Sequence, residues 1–97
     1  MSVWCVVLEC PKCGKQRPFP ISEPIKRVKD IEGTGVKARL MLSFAVHYVY
    51  CGNKSPSDEL IEEVIRRAKL IRVPENIVKE VENRNREAKW DYYGLSQ

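Results

Sequence analysis

Hydrophobic positions fall into blocks with different rhythms. The first nine residues are apolar at odd positions (Val3, Cys5, Val7) and at even ones (Trp4, Val6, Leu8), as in a strand covered on both faces. The next stretch, CPKCGKQRPFP, reads as turns, because its Pro and Gly residues exclude regular structure. Over 24–32, Ile25, Val28 and Ile31 fit neither period cleanly, and the reading is a partly exposed strand. Gly33-Thr34-Gly35 follows as a tight connection, since either glycine takes positive φ without steric cost. From Val36 the even positions Ala38, Leu40, Leu42, Phe44, Val46, Tyr48 and Tyr50 are all apolar or aromatic, while the odd ones begin with Lys37 and Arg39. This alternation predicts the second arm of a β-hairpin, running from an exposed edge into the core. Helix formers within 38–45, and a length unusual for a strand, require a bend or bulge near Ser43.

The period changes in the C-terminal half. Ser55-Pro56-Ser57-Asp58 reads as a helix start, with a serine N-cap, proline at the first helical position and an acid at the third. Leu60, Ile61, Val64, Ile65, Ala68 and Ile71 then follow at helical spacing. Val73-Pro74 ends that helix and opens a second, because the residue before proline avoids helical angles. The second helix buries Ile77, Val78 and Val81, with Ala88 a further candidate; Gly94 caps it, and Trp90, Tyr92 and Tyr93 decorate its last turn. The expectation is an α+β fold: a small, mainly antiparallel sheet carrying a zinc knuckle, with two C-terminal helices packed on one of its faces. It is a single domain over 1–97, with a β-rich half (1–54) and a helical half (55–97).

Composition narrows the class. With 97 residues, 43% hydrophobic and 31% charged, the chain is expected to be one small globular domain rather than a disordered or fibrous segment. Its longest apolar run, 40–51, is broken by Ser43 and His47 and falls short of the ~18 residues of a membrane span. The opening MSVWCVVLE has neither a basic leader nor a small-residue cleavage site. No membrane association and a cytoplasmic location are therefore expected.

The net charge is +4, and its excess is confined to the middle of the chain: residues 14–54 hold eight bases against three acids, a net +5. Lys15, Arg17, Lys26, Arg27, Lys29, Lys37 and Arg39 make a basic stripe suited to phosphate backbones, with Phe19 available for base stacking. Ordinary solvated surface explains the same charges equally well.

Cysteine placement carries the most chemistry. Cys10-Pro11-Lys12-Cys13-Gly14 has the two-residue gap that lets two thiolates reach one tetrahedral zinc from a tight turn. CPKCGK resembles the first knuckle of a zinc ribbon, and YCGNK (50–54) resembles the end of a second one, each following a strand. Tyr48 stands where a regular second knuckle has its other cysteine. Cys10, Cys13 and Cys51 are thus three candidate ligands, and the fourth is His47 or Cys5. In an extended segment residues four apart lie about 13 Å from one another, so His47 reaches only if the chain turns; Cys5 meets the same objection at greater separation. His47 is preferred, with Cys5 read as a small buried hydrophobe. A Cys5–Cys51 disulfide is an alternative if the first strand pairs antiparallel with 42–50. A redox Cys-x-x-Cys is another, although no helix pattern begins at Cys10.

Residues 65–81 resemble a helix-turn-helix weakly, but Arg72 stands where the motif has a turn glycine. The would-be reading helix, with Glu75, Glu80 and Glu82, is slightly acidic and ill suited to a phosphate-lined groove. No catalytic set is visible, so the chain is not expected to be an enzyme. The leading expectation is a small Zn2+-stabilised, nucleic-acid-associated protein with a regulatory role, as zinc ribbons often serve in transcription and translation assemblies. The alternative is a protein-interaction module, acting through the helical pair and Trp90, Tyr92 and Tyr93, with structural zinc only. A homo-oligomer is compatible with either.

Overall fold

A computed structural model gives the fold and describes residues 1–21, 27–33, 35–84 and 90. Strand β1 (Ser2–Glu9) is the centre of a three-stranded antiparallel sheet, between β2 (Gln16–Pro20) and β3 (Lys69–Pro74). Val6 lies opposite Phe19 on one side and Leu70 on the other, while Cys5 lies opposite Pro20 and Ile71. A strand hydrogen-bonded along both edges and covered on both faces needs apolar side chains at every position. This is why Cys5, Val6, Val7 and Leu8 are all buried.

The sheet divides the interior into two layers. Val6 and Leu8 join Phe19, Ile31, Leu40, Phe44, Ile61, Val64, Ile65 and Trp90 on one face; Cys5 and Val7 join Ile71, Val73 and Val78 on the other. Each fully buried aliphatic or aromatic side chain contributes about 1.5–3 kcal/mol against exposure, so the first layer supplies most of the cohesion. Helices α1 (Gly35–Gly52) and α2 (Asp58–Arg66) pack in that layer, and α3 (Glu75–Arg84) packs in the second.

Several sequence expectations are corrected. The turn-rich reading of 10–20 holds only to Lys15; Pro18 and Pro20 sit in β2, an edge strand, where a missing N–H breaks no ladder on the solvent side. Within 24–32 the described residues form a short 3-10 helix, Val28–Ile31, in which Asp30 accepts a hydrogen bond from the Arg27 backbone N–H at 3.1 Å. Ile25 and Lys26 lie outside the described residues. The largest correction concerns 36–50, which is the 18-residue helix α1 and not a hairpin arm. Its buried residues, Leu40, Ser43, Phe44, His47 and Tyr48, follow a helical spacing. The opposite face, with Leu42, Val46, Val49 and Tyr50, is apolar as well, and an all-round apolar helix hides its own period. Length and the scarcity of β-branched residues in 37–45 decide for helix.

The two predicted C-terminal helices are both present, but on opposite faces of the sheet, because β3 intervenes. Ile71 and Val73 belong to that strand and alternate with exposed Arg72 and Pro74. The free edge of β1 demands a partner for its backbone groups, and this wins over the helical pattern running through Ala68. The helix-turn-helix likeness over 65–81 disappears with it. The N-cap of α2 is Ser57, two residues later than expected, and its Oγ accepts from the Leu60 N–H at 3.1 Å. Trp90 is 1% exposed and stands in the first core layer, whereas Ala88, Tyr92, Tyr93 and Gly94 lie outside the described residues. The N-terminal half, 1–54, is therefore not β-rich: it holds two strands and the longest helix of the described residues.

Candidate metal centre

The knuckle is built first by local backbone. Beyond the end of β1, the Gly14 N–H donates to the Cys10 carbonyl at 2.8 Å and the Cys10 N–H to the Lys15 carbonyl at 2.9 Å. Gly14 has φ +74°, in the left-handed region that disfavours a side chain. The turn so closed presents Cys10 and Cys13 side by side. Cys10 is fully buried and Cys13 half-buried.

The other half comes from α1. His47 and Cys51 are one helical turn apart, where side chains share a face with Cβ atoms roughly 5–6 Å apart instead of the 13 Å of a strand. Two residues finish the helix so that it fits the knuckle. Asn53 takes the left-handed conformation (φ 61°), and its N–H donates to the Val49 carbonyl at 3.0 Å. Gly52 lacks the Cβ that would come within 3.3 Å of the Lys12 side chain and 3.4 Å of the Tyr48 ring. The bare backbone there lets the Lys12 turn lie against the helix end.

The ligand atoms of Cys10, Cys13, His47 and Cys51 all lie within 4.8 Å of one another. The Cys10 and Cys51 sulfurs are 3.7 Å apart, and Cys13 Sγ is 3.3 Å from His47 Nε2. A tetrahedral zinc with bonds of about 2.3 Å to sulfur has S···S edges of about 3.8 Å, and shorter ones to nitrogen. The observed pairs match those edges, so the four side chains fit a metal ion. Burial pushes the Cys13 thiol above its ordinary pKa by disfavouring the thiolate. A cation offsets that penalty, since metal-bound cysteine is deprotonated.

His47 is 3% exposed and stacks on the Trp90 indole, with ring centroids 4.4 Å apart and planes at 10°. Trp90 also meets Phe19 and Phe44 at 6.4 and 5.9 Å. The imidazole is thus held flat against a rigid aromatic group with Nε2 facing Cys13. Sequence reasoning did not foresee this role for Trp90 or the clearance at Gly52. A His-x-x-x-Cys spacing within a helix is the signal that shows the ligand pair, and it is unreadable while 36–50 is taken as a strand.

Cys5 does not belong to the cluster. It lies in the second core layer across the sheet, with its thiol 3.5 Å from the Val3 carbonyl. That placement removes it as a fourth ligand, and none of the four cysteines is in a disulfide, so Cys5–Cys51 is not formed. No helix begins at Cys10, in keeping with the sequence argument against a thioredoxin-type site.

The basic residues are not gathered on the sheet. Arg17 is buried, with its guanidinium 5.1 Å from the Phe19 ring centroid, and Arg39 reaches over the same ring at 5.6 Å. Phe19 itself is 1% exposed and cannot stack on a base. Lys37 is engaged by Glu32 at 2.8 Å and Glu62 at 3.1 Å, which raise its pKa, Glu32 foremost. Lys15 is half-buried; Arg27, beside Asp30 at 3.8 Å, and Lys29 are exposed on the 3-10 helix. Lys26 is outside the described residues.

No family model, curated protein or solved structure matches the chain. The α+β fold and the Cys3His cluster are what define it. Among the described residues, no helix is long and apolar enough to cross a membrane.

Proposed function

We propose that the chain is a small zinc-binding module in which Cys10, Cys13, His47 and Cys51 hold one structural Zn2+ that ties the β1 turn to the end of α1. The convergence of these four ligand atoms from elements 34 or more residues apart in sequence supports this reading. Three thiols and one imidazole are a closed donor set, and a site with four protein ligands leaves no position for substrate. When bound, the ion supplies cross-linking and charge neutralisation. The chain supplies the preformed knuckle, the helical His-Cys pair and the indole that orients the imidazole. Purified protein is expected to contain one zinc per chain by elemental analysis. Cobalt exchange should give the strong visible absorption of a tetrahedral thiolate site, and absence of both sinks the proposal.

Nucleic-acid binding is the second reading, with a narrower footing than the sequence suggested. The exposed cations Arg27 and Lys29, with Arg39 on the first turns of α1, support it. Labelled oligonucleotides titrated across salt test it: affinity should fall steeply with salt, and more gently after substitution of these three residues by alanine. No binding at low salt removes it.

A further inference from the structure

Helix α1 has a second face that its own fold does not use. Leu42, Val46, Val49 and Tyr50 follow the spacing i, i+4, i+7, i+8 and are 65%, 38%, 47% and 70% exposed. A helix apolar on every side belongs in an interior, yet among the described residues nothing packs on this stripe. Neighbouring charges turn away from it: Lys37 toward Glu32 and Glu62, Arg39 toward the Phe19 ring. The stripe is therefore neutral, and two copies of it meet without like-charge repulsion even though each chain carries +4.

The ends of α1 indicate which partner fits. Its first turn has no acidic residue and its last turn no basic one. By contrast α2 carries Asp58 and Glu59 at its start and Arg66 at its end, and α3 starts with Glu75. The partial charges at the two ends of the α1 dipole are thus left without side-chain compensation. An antiparallel helix of the same kind supplies it at both ends, setting each positive N-terminus beside a negative C-terminus.

We infer that α1 is the dimerisation helix of this protein: two copies pack antiparallel through Leu42, Val46, Val49 and Tyr50. About a two-fold axis near Val46, Leu42 of one copy faces Tyr50 of the other, an isologous contact. The interface lies on the side of α1 opposite His47, so it is separable from the metal reading.

The test is light scattering and sedimentation of the full, metal-replete chain. The expected mass is twice 11.2 kDa, falling to one chain with Leu42→Glu and with Tyr50→Lys. Each variant should keep the metal content and melting behaviour of a folded protomer. Mixing the two should restore a dimer, because the new carboxylate and ammonium face each other only in the antiparallel register. A wild-type monomer at concentrations up to hundreds of micromolar overturns the inference. So do variants that stay dimeric, and so does a monomeric wild type that either variant destabilises, which would mean that the chain covers the stripe itself.

Discussion

His47 is the residue on which the site turns. Three cysteines alone leave a metal position open, and the imidazole closes it from a rotamer fixed by the stack on Trp90. His47→Ala should remove tight metal binding while leaving the knuckle intact, and His47→Cys, which restores a fourth donor, should recover metal content. Cys5→Ser is the contrasting case: this side chain lies across the sheet from the cluster. Zinc stoichiometry should stay unchanged there while stability falls by about 1–3 kcal/mol, from placing a hydroxyl in an apolar site. A fall in metal content with Cys5→Ser, measured by elemental analysis, would contradict the ligand assignment. Cys10, Cys13, Cys51 and His47 could all be picked out in the sequence, because thiols and imidazoles near Pro and Gly are conspicuous. The indole partner was not, since nothing in a string of residues says that position 90 returns to position 47.

Elements differ in how openly they declare themselves. β1 is legible because only a central strand needs apolar residues at every position, and α3 because Val78 and Val81 keep a clean helical spacing. The start of α2 is marked by serines on either side of Pro56, and geometry selects Ser57 as the cap. Ser57→Ala should cost about 1 kcal/mol by loss of the bond to the Leu60 N–H, read as a lower melting temperature with unchanged metal content. α1 and β3 were obscured for opposite reasons. In α1, alternate apolar positions coincide with an all-round apolar helix. In β3, Ile71 continues the helical rhythm of α2 although the chain has already become a strand.

The molecule as a whole has a thin interior for its length, divided by a sheet of only three strands. A tie between the β1 turn and the end of α1 acts across the larger layer, so its removal should loosen the whole layer. Chelation by EDTA is expected to lower the melting temperature and to shift Trp90 fluorescence to longer wavelength as the indole loses its packing against His47 and Phe44. Trp4 also emits and is 46% exposed, so the comparison belongs in a Trp4→Phe background. Unchanged melting and emission after complete metal removal would show that no ion holds this layer together.

By itself the sequence determined the chemistry and the components: an α+β chain, a central first strand, a Cys-x-x-Cys turn, and the four donors that later converge. Those properties depend on residue type and on neighbours a few positions away. Tertiary structure alone decided that 36–50 coils into a helix, that β3 completes the sheet between two helices, and that His47 rather than Cys5 joins the three thiols. Each of these depends on which backbone groups and apolar faces find partners far along the chain, and local periodicity does not encode that pairing.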